Sequence, residues 1–500
     1  MAKPNDTIAI QDFNMGGLAK SRWSGNDNTL FKLIGFDPHS KPGVLDVAQK
    51  LTKVSGSTIT ELCLEGVNSS NGSQYFFSHE SGKVWEITSA GVVRLVYTTL
   101  PSLGTANCLG AAEHEGYIYW ATSKKLHRIA VASADDNNWS ADVAANWAEF
   151  TAGDSDFHPM LSHTATLTLY IGDGKYLAQV DNNIFSAEAL DIRDPLRIKS
   201  LGSFSTDVLL GTFVSDNFTQ TEILRWNTWD DSFVNSDKIP EVGINAFINA
   251  DNVILVQAGK SGNIYWYDGT NLELYNNIPG EYSPTAYGEV HPSSVANMDG
   301  QMLMGWSNQS GSPTDSLVYR IARHDRDFNY ILDAPYPISQ RSGDDFVLSG
   351  IEIGVVLSAG SYIFVAWKHG STCGVDKLDA SNKLSGAYFE SRIMIVDRGE
   401  FTNFAECFIN VTKRTLGGDL FPPGTAISFY LSKNYGAYGA ALATEIDTET
   451  VDEYDQVIKG RNVIRSKDEG DDFTTLQLRV KVTTSGNEAP LIESGGVKIR

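Results

Sequence analysis

A short unit recurs along the chain: an aromatic strand, a tight polar turn and a return strand. It reads Ser73-Gln74-Tyr75-Phe76-Phe77-Ser78, the turn Ser81-Gly82, then Lys83-Val84-Trp85-Glu86-Ile87-Thr88. The same pattern returns as Gly116-Tyr117-Ile118-Tyr119-Trp120-Ala121 with Leu126-His127-Arg128-Ile129. It returns again as Leu167-Thr168-Leu169-Tyr170-Ile171, the turn Gly172-Asp173-Gly174, and Tyr176-Leu177-Ala178-Gln179-Val180. Further copies lie at residues 208–226, 253–275, 301–321 and 362–367. The copies are about 40 to 60 residues apart, the period of a four-stranded propeller blade, in which each sheet buries both faces against its neighbours. An array of β-sandwiches would space its domains at about 90 to 100 residues. The expected fold is therefore all-β, with a six- or seven-bladed β-propeller over residues 57–385. The 45 glycines against 16 prolines agree, because glycine supplies the positive φ of tight turns. Helical pattern is nearly absent; residues 141–147, after a capping Ser140, are expected to form one short helix on a blade connection.

At 500 residues the chain is too long for one ordinary core, and its two ends depart from the repeat. Residues 1–56 begin with a short apolar run, Ile8-Ala9-Ile10, entering a glycine turn at Gly16-Gly17, and are expected to form an extended N-terminal arm. Residues 386–500 alternate apolar with polar at period two around Ile393, Cys407, Phe429, Leu478 and Ile492, which suits a C-terminal antiparallel β-sandwich. Phe421-Pro422-Pro423-Gly424 is expected to be a rigid turn within it.

Charge excludes some functions. Lys and Arg total 39 against 61 Asp and Glu, a formal charge of -22, so the surface as a whole repels phosphate. The N-terminus has no apolar stretch of the secretory kind, and no run approaches a membrane span, so no membrane insertion and folding in a cytoplasm are expected. Cys63, Cys108, Cys373 and Cys407 fit no zinc or redox spacing and are expected to be small buried hydrophobes.

The search for chemistry is mostly negative: no nucleophile elbow, HExxH, phosphate loop, dinucleotide fingerprint or EF-hand loop occurs. The acidic groups Asp135-Asp136-Asn137-Asn138, Asp154-Ser155-Asp156, Asp230-Asp231 and Asp325-Arg326-Asp327 are expected to be solvated turn residues rather than calcium ligands. His158, His163, His291 and His324 show no paired metal-ligand spacing. Trp85, Trp120 and Trp266 are assigned to blade core. No catalytic, cofactor-binding or metal-binding residue is nominated, and no cofactor is expected.

The opening Asp12-Phe13-Asn14-Met15-Gly16-Gly17-Leu18, followed by Gly35-Phe36-Asp37 and Pro42-Gly43-Val44-Leu45, resembles the start of the propeller-bearing tail nozzle and tail-hub proteins of tailed bacteriophages. The stretch from Gly386 to Leu431, with Asp397-Arg398-Gly399-Glu400, and the closing Leu478-Arg479-Val480-Lys481-Val482 and Ala489-Pro490-Leu491-Ile492 are similar to the sandwich of the same group. The resemblance implies a structural virion protein of the phage tail, assembled in the host cytoplasm. It implies a ring of identical chains, commonly a homohexamer, that contacts adaptor, hub or fibre proteins. DNA would pass the ring during ejection without specific binding, and no catalytic residues carry over. Two rivals from other classes are a polysaccharide-acting hydrolase or lyase, with paired carboxylates at the propeller channel, and a glycan-binding adhesin using Tyr267 and Tyr275.

Overall fold

A computed structural model describes residues 7–10, 17–19, 21–23, 29–40, 43–54, 59–98, 108–134, 139–152, 156–214, 221–250, 253–308, 315–323, 330–342, 345–395, 402–412, 424–442, 445–447 and 461–499. Its repeats show why they need one another. In the first, Val67, Tyr75, Phe77, Val84 and Val96 join an apolar cluster with Ile118 and Trp120 of the second repeat. Cys63, Phe76, Trp85, Ile87 and Val93 join a different cluster with Val355, Phe364 and Val375 of the last. A sheet apolar on both faces must be covered twice, and a closed ring of sheets does so without a cap.

The ring is built of antiparallel four-stranded meanders, counted here as blades 1 to 7 in chain order. Six stand as separate sheets, whose inner strands begin at Cys63, Gly110, Met160, Arg197, Ile244 and Ile351. The remaining meander, blade 6, runs through Val295–Met298, Gln301–Asn308, Leu317–Arg323 and Tyr330–Tyr336 and continues by its outer strand into a larger sheet. The inner strands of successive blades adjoin all the way round, blade 7 against blade 1. The chain is thus an all-β propeller protein.

Residues 141–147 do not form the expected helix. Trp139–Ala141 is a single 3-10 turn, and Ala144–Glu149 is the outer strand of blade 2. Packing decides it: the Trp147 ring meets Tyr119 at 5.6 Å and the Arg128 guanidinium at 4.0 Å. Asn146 absorbs the slip in register with a φ of 53°.

The N-terminal residues are woven into the rest. Gln49–Lys53, expected within the arm, is the fourth strand of blade 7, antiparallel to Thr372–Lys383, so it closes the ring. Leu30–Ile34 lies between blade 6 and Ala387–Ser391. Two glycines of the opening motifs are sterically required there. A Cβ on Gly17, at φ +59°, would sit 2.3 Å from Ile331 Cγ2, and one on Gly35, at φ +75°, would sit 2.1 Å from Leu384 Cδ2. Asp37 then reaches the buried Arg320 of blade 6 at 2.8 Å, and Arg320 also holds Asp333 at 2.5 Å. Asp12 to Gly16 lie outside the described residues.

After blade 7 come two further sheets. One orders Thr7–Ile10, Leu491–Ile499, Thr402–Thr412, Arg461–Phe473 and Glu445–Asp447. The other carries Leu30–Ile34, Ala387–Ser391, Thr475–Thr483 and Met394–Ile395, with Ala426–Lys433 also paired to Thr475–Thr483. Cys407, Ile409 and Val411 of the first sheet share a cluster with Phe429, Leu478 and Val480 of the second. That cluster also holds Met302, Trp306 and Tyr319 of blade 6, so apolar packing runs without a break across residue 385. Asp397 to Glu400 and Phe421 to Pro423 lie outside the described residues. No helix among the described residues is long and apolar enough to cross a membrane.

Candidate functional site at the channel mouth

In each blade the chain enters the inner strand from the rim of the preceding blade, so these connections converge around the propeller axis. Glu65, on the inner strand of blade 1, is 3% exposed and accepts hydrogen bonds from Ser293 Oγ and the Ala111 amide. Ser293 and His291 belong to the connection into blade 6. Ser293 N donates to His291 Nδ1 at 3.3 Å, and His291 Nε2 lies 3.8 Å from Glu65 Oε1. Phe157, before blade 3, has its ring 6.4 Å from His291 and 5.2 Å from the Lys199 ammonium of blade 4. Lys199 donates to Asn245 Oδ1 of blade 5 at 2.7 Å and to Glu289. Blades 1 and 4 stand on opposite sides of the ring, so this chain of contacts crosses the axis.

Burial sets the charge states. It pushes the Glu65 carboxyl up to about 8 against the hydrogen bonds from Ser293 and Ala111. It pulls the His291 imidazole down to about 3, with His79 and Lys199 acting in the same direction. Both groups are therefore neutral near pH 7, which avoids leaving charges in a low-dielectric site. A neutral acid beside a neutral imidazole, each already bonded to Ser293, joins blades 1 and 6. Lys199, 6% exposed, is neutralised in place by Glu289.

A cavity of about 310 Å³ adjoins the network, lined by Phe157, Lys199, Phe213, Asn245, Lys260 and Glu289 among others. On the same end, His158 places Nδ1 2.8 Å from the Gly172 carbonyl and Nε2 3.3 Å from the Ser123 carbonyl. Asp173 Oδ1 lies 4.0 Å away. Burial pulls the His158 imidazole below its ordinary value, while Asp173 and the two carbonyls favour its proton. This pair ties the connection between blades 2 and 3 to the turn of blade 3. Among the described residues no three His, Cys, Asp or Glu side chains form a group able to hold a metal.

Most residues singled out from the sequence are structural. The four cysteines are free and buried, and burial pushes the Cys63 and Cys108 thiols well up. Trp85 and Trp120 are fully enclosed, while Trp266 is half-buried against Tyr275 and Tyr330. Neither aromatic proposed for an adhesin is free to take a sugar: Tyr267 is 0% exposed, and the half-buried Tyr275 packs on Trp266 while its hydroxyl donates to the Tyr330 carbonyl. Asp230 and Asp231 are exposed turn residues. Asp135 to Asn138, Asp154, Ser155, His324 and Asp325 to Asp327 lie outside the described residues. Glu65 and Lys199 were not singled out from the sequence; the available signal was a charged residue inside an apolar run, as in Cys63-Leu64-Glu65-Gly66-Val67.

No protein-family model and no curated protein matches the chain. Solved structures with a similar fold include a streptogramin B lyase, 11% identical over 66% of this chain and 98% of its own, with a TM-score of 0.44. Virginiamycin B lyase from Staphylococcus aureus is 10% identical over 66% of this chain and 98% of its own, with a TM-score of 0.45. Aldose sugar dehydrogenase from Streptomyces coelicolor is 11% identical over 66% and 97%, with a TM-score of 0.37. At these identities and TM-scores the likeness concerns the fold alone.

Proposed function

We propose that the chain is a structural virion protein of a phage tail, a nozzle or hub component that assembles as a ring of identical subunits, with a propeller, a C-terminal β-sandwich and an N-terminal arm. The supporting observation is the course of residues 30–53. They add one strand beside blade 6 and the C-terminal sheet, an aspartate to the Arg320 network, and the closing strand of blade 7. The segment thereby bridges blade 6, blade 7 and the C-terminal sheet. Such a block suits head-to-tail contacts, which close into a ring.

Contacts from Glu65 to Lys199 link blades across one mouth of the propeller, and the conduit for DNA in this reading is the lumen of the subunit ring. The chain as a whole carries a formal charge of -22, which repels phosphate rather than holding it. At this mouth a polysaccharide hydrolase would need two carboxylates free to meet a glycosidic bond. Glu65 is buried on Ser293, and Glu289 is committed to Lys199. The proposal is tested by negative-stain electron microscopy of the purified full chain: closed rings with a central lumen are expected, and isolated propellers at every concentration would contradict it.

A further inference from the structure

At the end of the propeller opposite the Glu65 network, a groove of about 370 Å³ opens between blades 1 and 7. That volume falls within the range of small-ligand sites. Its walls include Asn68, Ser69, Gln74 and Ser89 from blade 1 and Tyr362 and Lys377 from blade 7, and no lining residue is acidic in a chain that carries 61 carboxylates.

Two observations indicate a ligand. Ser69 is 4% exposed, and its Oγ is buried with no hydrogen-bond partner, a state that costs free energy until an acceptor or donor arrives. The Lys377 ammonium lies 4.3 Å from the Tyr362 ring centroid and 5.4 Å from that of Phe364, and meets no carboxylate among the described residues. The amides of this wall are held in place by the protein itself: Gln74 Nε2 donates to Asn68 Oδ1 and to the Gly72 carbonyl, both at 3.1 Å, and Asn68 Nδ2 donates to the Ser358 carbonyl at 3.1 Å.

We infer that this groove binds a carboxylated pyranose, the acid sugar of a uronate- or sialate-bearing glycan, with the sugar carboxylate on Lys377 and a ring hydroxyl on Ser69. Tyr362, 39% exposed, offers apolar surface for the carbon face of the ring. The unpaired cation selects for the carboxylate, and neutral hydroxyl and amide groups suit the rest of a sugar. The site does not depend on ring assembly, because both walls belong to one chain.

The test uses the full-length protein with glucuronate, 3′-sialyllactose and lactose, followed by saturation-transfer NMR and calorimetry. Binding of either acid sugar at least tenfold tighter than lactose is expected, and which one binds identifies the glycan class. Lys377→Gln should weaken that binding at least tenfold with no change in thermal midpoint, Lys377→Arg should retain most of it, and Ser69→Ala should weaken it by about threefold. Added salt should weaken binding to the parent chain. Binding of neither acid sugar, equal binding of lactose, or an acid-sugar affinity untouched by Lys377→Gln would overturn the inference.

Discussion

Glu65 carries the clearest pH signature in the molecule. Its folded pKa of about 8 lies above its ordinary value of 4.5, so the folded chain binds the extra proton between those values. Stability from this group is complete below about 4.5 and is lost as pH rises through 8. His291 has the opposite sign: its value falls from 6.5 to about 3, so its contribution is lost on acidification through that window. Glu65→Gln keeps the shape and removes the ionisation. The stability of this variant should lie close to the parent at pH 5 and exceed it by about 4 kcal/mol at pH 8.5; equal stability at both values would show that Glu65 does not titrate in this window. At Arg320, also fully buried, Asp333→Ala should cost about 3–5 kcal/mol by leaving the guanidinium with Asp37 as its one carboxylate among the described residues, a loss readable by urea denaturation. Little of this was legible beforehand. A glutamate in an apolar strand and an arginine in Leu317-Val318-Tyr319-Arg320-Ile321 look like ordinary outward residues until the blades that bury them are placed. Gly17 and Gly35 were visible as turn glycines, but only the approach of Ile331 and Leu384 shows why a side chain is barred there.

The strand is the scale at which the sequence was most informative. Aromatic strand and return strand are local statements, so the hairpins at Gln74–Ser78 with Val84–Ile87 and at Tyr117–Ala121 with Lys125–Ala130 could be read from spacing alone. Outer strands were not so legible. Ala144–Glu149 has the alanine content of a helix, and contacts to Tyr119 and Arg128 override that propensity. Gln49–Lys53 pairs with a segment more than 300 residues later, a partner that no local pattern can announce. Its role is testable. Leu51 is 2% exposed, so Leu51→Ala should destabilise the chain by about 2–5 kcal/mol, with protease cleavage appearing first in residues 372–383. A loss below about 0.5 kcal/mol would mean that the closing strand does not hold the ring.

At the scale of the molecule, the period of the repeat indicated the propeller, and the switch to longer alternating strands marked the C-terminal sheets. The degree of fusion between them could not be read, because it depends on one apolar cluster drawing residues from positions as distant as Leu33, Trp306 and Val480. The net charge disfavours broad nucleic-acid binding, and in a ring it would bear on the surface that subunits present to a shared lumen. The most direct measurement is the native mass of the purified full chain by mass photometry across a range of concentration. A closed ring predicts one dominant species at a fixed multiple of 54.6 kDa, about 330 kDa for the sixfold case, with few partial assemblies. A single species at the mass of one chain throughout that range, even after addition of phage tail particles lacking this component, would contradict it.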